Sequence, residues 1–200
     1  MPPSKAERTR QYILETVAPI FNRQGYVGTS FSDLAAATGL TKGAMYGNFK
    51  NKEALALAAF NHSWRQIIEP LNERIQRQSS GLGKLMEMTA YYRTYYEDYM
   101  KKAEGCAILS VGVDAQYHHP ELFKRAQQMI KVMERGIMNM VEQGKSEGSL
   151  KLDLDSPKLA KLTYAMIEGA VFMVVTTGDQ TYLPTVIDHL EDMIERNWKR

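Results

Sequence analysis

What the chain lacks narrows its class first. A single cysteine, Cys106, stands among 200 residues, so no internal disulfide forms and no cysteine cluster can hold structural zinc or an iron–sulfur centre. Long hydrophobic runs are missing too. The most apolar stretch, Ala170–Val175, falls short of the roughly 20 residues a membrane span needs, and the charged start around Lys5, Glu7 and Arg8 leaves no apolar stretch for a signal peptide. A cytoplasmic protein without a membrane partner is expected. No segment alternates with period two, which speaks against a β fold. There is no internal repeat, no phosphate-binding glycine loop, no Ser/His/Asp or Cys/His set and no metal-ligand set, so neither an enzyme nor a cofactor is expected. His118-His119 before Pro120 reads as a helix stop, because adjacent imidazoles face different ways and no third ligand has a suitable spacing.

Neither sign of charge dominates the whole, with 25 Lys and Arg against 23 Asp and Glu. The distribution is uneven. Residues 1–52 carry seven basic and three acidic side chains, a net of +4, and the remainder is at −2. A basic N-terminal quarter suits contact with a polyanion.

Apolar residues recur at three and four throughout, as in Ile13, Val17, Ile20 and Phe21, or Met129, Val132, Met133, Ile137 and Met140. This is helical spacing. Turn signals at Gly25, Gly39, Ser79-Ser80-Gly81, Gly105, His119-Pro120, Gly148-Ser149, Ser156-Pro157 and Gly178-Asp179 cut an all-α chain into about nine helices, predicted at 5–24, 32–38, 42–48, 51–78, 82–103, 106–117, 121–147, 156–177 and 181–198. Pro19 lies inside the first, where its missing donor should kink or locally unwind the helix.

Residues 32–49 have the grammar of a helix-turn-helix. Ser32 is placed to cap a short helix, Gly39 supplies a positive-φ turn, and Thr41 caps a second short helix. Leu34, Leu40, Met45 and Phe49 form its expected core. In such a pair the second helix enters the DNA major groove by its N-terminal residues. Lys42 and Gly43 then meet DNA first, Tyr46 one turn on suits a phosphate, and Thr29, Ser30 and Lys52 flank the pair as phosphate donors. Asn48 can donate to a phosphate or read an adenine edge.

The ordered combination Gly25-Tyr26, Thr29-Ser30, Leu34-Ala35, Gly39-Leu40-Thr41-Lys42-Gly43-Ala44-Met45-Tyr46, Phe49-Lys50-Asn51-Lys52-Glu53 and Leu55 resembles the TetR family of bacterial transcription regulators over about residues 8–60. That resemblance implies a helix-turn-helix domain over 1–52 and a helical ligand-binding and dimerisation domain over 53–200. It also implies a homodimer on a palindromic DNA operator, released by a small-molecule effector. The family's phosphate and base contacts carry over to Thr29, Thr41, Lys42, Gly43, Tyr46 and Lys52. Gly47 stands where a second tyrosine is common in the family, and Asn48 where histidine is common.

Beyond residue 60 the residues themselves say more. Met88, Tyr91, Tyr92 and Tyr95 crowd one helix, with Met129, Met133, Tyr164, Glu168 and Phe172 as candidates opposite and Trp64 on the long fourth helix. Methionine and aromatic walls make adaptable apolar pockets, so the expected effector is apolar or aromatic. Cys106, at an expected helix start beside Lys101 and Lys102, is either a low-pKa redox or electrophile sensor or a small buried hydrophobe. Leu159, Leu162, Met166, Gly169, Ala170 and Met173, with Leu183, Val186, Ile187, Leu190, Met193 and Ile194, are the expected dimer face of the last two helices. A constitutive DNA-binding protein without effector is the competing class.

Overall fold

The N-terminal helix begins where the sequence supplies both halves of a capping box. Ser4 Oγ accepts from the Glu7 amide at 3.2 Å and the Glu7 carboxylate accepts from the Ser4 amide at 2.7 Å, which satisfies two amides that a helix start leaves unpaired. In the computed structural model, which describes residues 3–103, 105–112 and 114–200, α1 then runs over Lys5–Gln24. It is followed by α2 (Phe31–Thr38), α3 (Lys42–Asn48), α4 (Lys52–Gln76), α5 (Gly81–Tyr95), the single turn α6 (Lys101–Ala103), α7 (Pro120–Ser146), α8 (Ser156–Thr177) and α9 (Tyr182–Met193). Wide π-type turns continue α5 over Tyr96–Met100 and α9 over Ile194–Trp198. The all-α class holds: among the described residues the extended pairing is one isolated bridge, Leu150 with Lys199.

Three local expectations change. The helix expected over 106–117 is instead a π-type turn at Ile108–Gly112 and a 3₁₀ turn at Ala115–Tyr117, and its residue 113 lies outside the described residues. α1 passes through Pro19 uninterrupted. The proline costs one hydrogen bond and a clash, about 3 kcal/mol, but Val17, Ala18 and Phe21 around it are buried, and full burial of large apolar side chains contributes roughly 1.5–3 kcal/mol each. Finally, α8 is long and apolar enough to cross a membrane, although Ala170–Val175 alone is too short. An average along the helix tolerates its isolated charges, whereas a search for an unbroken run does not.

The chain forms two compact units, Met1–Ile67 with Met100–Gln128 and Ile68–Tyr99 with Met129–Arg200. Residues Met100–Gln128 cluster with the helix-turn-helix, and the change of unit at Ile67 falls inside α4. In the first unit α2 packs on α1 and α3, and α1 also meets α6 and the Ile108–Gly112 turn. Its core draws Ile13, Val17 and Phe21 from α1, Leu34 from α2, Met45 from α3, and Leu55 and Phe60 from α4. In the second unit α9 packs between α8 and α5 through Leu183, Ile187 and Leu190, which are wholly buried. Arg93 on α5 clamps α9 by ion pairs of 2.7 Å to both Asp188 and Glu191. The C-terminus is stitched down where the Lys151 amide donates to the Trp198 carbonyl at 2.9 Å and the Arg200 amide to Ser149 at 3.2 Å.

Candidate nucleic-acid interface and sensor core

Ser30, not Ser32, caps α2: its Oγ accepts from the Asp33 amide at 3.1 Å. Ser32 falls in the first turn instead. Gly39 closes the helix at φ +66°, in the left-handed region, where a Cβ is strained. Thr41 then caps α3, accepting from the Ala44 amide at 3.2 Å. Met45 points inward and is buried, while Thr41, Lys42, Gly43 and Tyr46 are exposed. Tyr46 is 54% exposed and still ordered, since its ring stacks on Phe31 at 4.5 Å between centroids. Leu40, expected in the core, is only half-buried. An ideal Cβ at Gly47 meets nothing within 4 Å, so the surface is open there.

The other expected contacts are partly engaged by the protein itself. Thr29 is buried, at 2% exposure, and its hydroxyl donates to the Gly25 carbonyl at 2.6 Å. That geometry makes it an internal brace of the turn rather than a surface donor. The Ser30 hydroxyl donates to the Asp33 carboxylate at 2.6 Å, and the Asn48 amide donates to the Ala44 carbonyl at 2.9 Å. The Lys52 ammonium sits 4.2 Å above the Tyr26 ring. Burial there holds its pKa below the ordinary lysine value, with the negative charge of Asp114 opposing the shift.

Arg10 and Phe31 were not singled out from the sequence, yet both shape this surface. Arg10 donates to the Asn48 carbonyl at 2.7 Å and lies 4.1 Å over the Phe49 ring, placing a positive charge at the C-terminal end of α3, where the helix dipole favours it. The turn before α2 is tied down by Asp114, whose Oδ2 accepts from the Val27 amide at 2.7 Å. His119 is buried, accepts from the Leu122 amide through Nδ1 at 3.4 Å and reaches Glu53 through Nε2 at 3.2 Å.

The expected sensor residues divide between the units. Trp64 and Cys106 belong to the first, and both are buried; Cys106 stands at the start of a helical turn, its carbonyl accepting from the Ser110 amide at 2.9 Å, but its side chain lies in the core. In the second unit Tyr91, Tyr92 and Tyr95 form a ring cluster, with centroids 5.4–6.0 Å apart. Burial pushes the Tyr91 hydroxyl up to about 12, against the pull of Arg74. Met88 and Met133 meet at a cavity of about 130 Å³ lined also by Leu71, Ile75, Ile137 and Met140. Met129 is buried nearby in sequence on α7. The Tyr164 hydroxyl hydrogen-bonds the Glu168 carboxyl one turn on. Phe172 departs from expectation: it is 51% exposed. Ala170 on α8, Leu183, Ile187 and Leu190 on α9, and Ile194 in the turn that continues it are buried inside their own chain, which removes them from the expected dimer face.

Two family models match. The model of bacterial regulatory proteins of the tetR family covers residues 13–59, and that of the tetracyclin repressor-like C-terminal domain covers residues 81–190, more than half of the chain. The chain belongs to the TetR family. A TetR-family regulator from Cytophaga hutchinsonii is 35% identical, with 98% of this chain and 97% of that one covered and a TM-score of 0.86. One from Chloroflexus aurantiacus is 30% identical over 98% of each, with a TM-score of 0.90. The transcriptional repressor DhaR of Mycobacterium sp. (strain GP1) is 24% identical over 166 residues, 81% of this chain and 80% of that one. As a TetR-family protein the chain is a DNA-binding transcription regulator, and these relatives are named as regulators, not enzymes.

Proposed function

We propose that this regulator is a repressor that binds a palindromic operator as a homodimer and leaves it when a small apolar or aromatic effector occupies the helical body. The observation that carries the DNA reading is the surface of α3, where Thr41, Lys42, Gly43 and Tyr46 are exposed together while Met45 anchors the helix from behind. In this reading Lys42 and Tyr46 contact phosphate or base edges, Gly43 admits the DNA backbone, Thr41 and Ser30 present the helix starts, and Lys52 clamps the flanking phosphates. Thr29 acts by holding the turn. Dimerisation uses the face of α8 that its own chain leaves bare, where Leu162, Phe172 and Val175 are exposed. Two recognition helices then address major grooves about 34 Å apart.

The tyrosine cluster and the methionine-lined cavity support the effector class. At about 130 Å³ the cavity is below the roughly 300–1,000 Å³ of ordinary ligand pockets, so binding a larger effector must widen it, and that change is what couples to DNA release. The test is selection of duplex DNA from a random library at several salt concentrations, followed by a thermal-shift screen of small molecules and their effect on the selected duplex. A palindrome released by a stabilising compound is expected. A stable complex that no stabilising compound releases would leave a constitutive DNA-binding protein.

A further inference from the structure

Two buried side-chain polar atoms lack a hydrogen-bond partner among the described residues, Thr163 Oγ1 and Glu168 Oε2. Both lie on α8, less than two turns apart. Leaving such an atom dry and unpaired costs about 1–3 kcal/mol, and more for a charged group, so native structures seldom keep one without a use. Glu168 as a residue is partly exposed, but its Oε2 is shut off from solvent. The Tyr164 hydroxyl hydrogen-bonds one side of the carboxyl group. Around it on the helix stand buried Ile167 and Val171. A carboxyl group with a tyrosine beside it, apolar neighbours and one oxygen without a hydrogen-bond partner among the described residues has the make-up of a site for a hydrophobic cation.

We propose that Glu168 is the anchoring carboxylate of the effector site and that the effector is a hydrophobic amine, its ammonium paired with Oε2 and its body among the apolar side chains of the second unit. This rests on the reading above that the helical body takes a small-molecule effector. Burial raises the pKa of the Glu168 carboxyl group, so pairing with an already protonated amine expels the carboxyl proton to the buffer. The ammonium keeps its own proton, and the charges balance as one carboxylate and one ammonium.

The experiment uses the full chain and matched probes, hexylamine with hexanol and phenethylamine with phenethyl alcohol, in calorimetric titrations run in two buffers of different ionisation enthalpy. The amines are expected to bind the wild type with proton release and at least about tenfold more tightly than the alcohols, and Glu168→Gln is expected to abolish that preference. Glu168→Asp, which keeps the charge, is expected to retain part of it and serves if the glutamine variant fails to fold. Alcohols that bind as well as amines, amines that bind Glu168→Gln unchanged, or no binding of either class to the wild type would each overturn the assignment. Failure here with a positive compound screen leaves the effector reading standing and removes only the amine. An empty screen removes the effector reading itself.

Discussion

Two residues with the same expected role separate once their hydroxyl and ammonium groups are followed. Thr29 spends its proton on Gly25 inside the fold, whereas Lys42 faces water at the start of α3. Thr29→Val is therefore expected to lower stability by about 1–2 kcal/mol in urea unfolding and to leave the salt dependence of operator binding as it was. Lys42→Ala is expected to leave stability within about 0.5 kcal/mol and to flatten the slope of log affinity against log salt by about 1. Glu168 gives a residue-scale prediction in pH. Its folded carboxyl titrates above the ordinary range because it is buried. From the ordinary carboxylate range up to that raised value, the native state keeps a proton the unfolded chain has lost. Stability is then highest below this window and falls as pH rises through it. Unfolding curves across the window should show that slope in the wild type and lose it in Glu168→Gln; an unchanged slope would refute the assignment.

At the scale of elements, the helix-turn-helix is the most legible part because its signals are local: Gly39 must take positive φ and Thr41 must cap, and both do so. The misplaced cap shows the limit. Ser30 and Ser32 are both plausible caps two residues apart, and the stacking of Phe31 on Tyr46, a contact between elements, accompanies the earlier start. Arg10 was invisible for the same reason, since its partner Asn48 is 38 residues away. Least legible are residues 105–112 and 114–119, where wide and tight turns replace a regular helix and the contacts are long-range. Asp114 holds the turn before α2 by accepting from the Val27 amide, and it would meet any Cβ at Gly25 at 2.9 Å. Asp114→Ala is therefore expected to free the Val27 amide, raising its hydrogen-exchange rate at least about tenfold for a loss near 1.5 kcal/mol, and to weaken operator binding. Asp114→Asn, still an acceptor, should keep most of the protection. Equal protection in all three proteins would show that this turn holds itself.

At the scale of the whole molecule, α8 poses the question of what covers its second side. Its inner face, with Ala160, Ile167, Ala170, Val171 and Val174, is buried in its own chain, while Leu162 at 48%, Phe172 at 51% and Val175 at 48% exposure leave large apolar groups on the outside. Gly169 between them is open, with nothing within 4 Å of an ideal Cβ, so a second helix can approach closely there. A membrane and a second copy of the chain would both bury such a face. The second copy fits a family whose regulators are typically dimers, and under the proposed function it would give a palindromic operator its symmetry. Phe172→Glu places a charge on each side of a two-fold contact, where like charges meet without water to screen them. Sedimentation should move that variant from dimer to monomer at micromolar concentration, with loss of palindrome binding but retention of helical content. Phe172→Leu, which keeps the apolar character, should remain dimeric. A Phe172→Glu protein that stays dimeric and binds its operator would take the interface off this face of α8, and the exposed apolar residues would then need another partner.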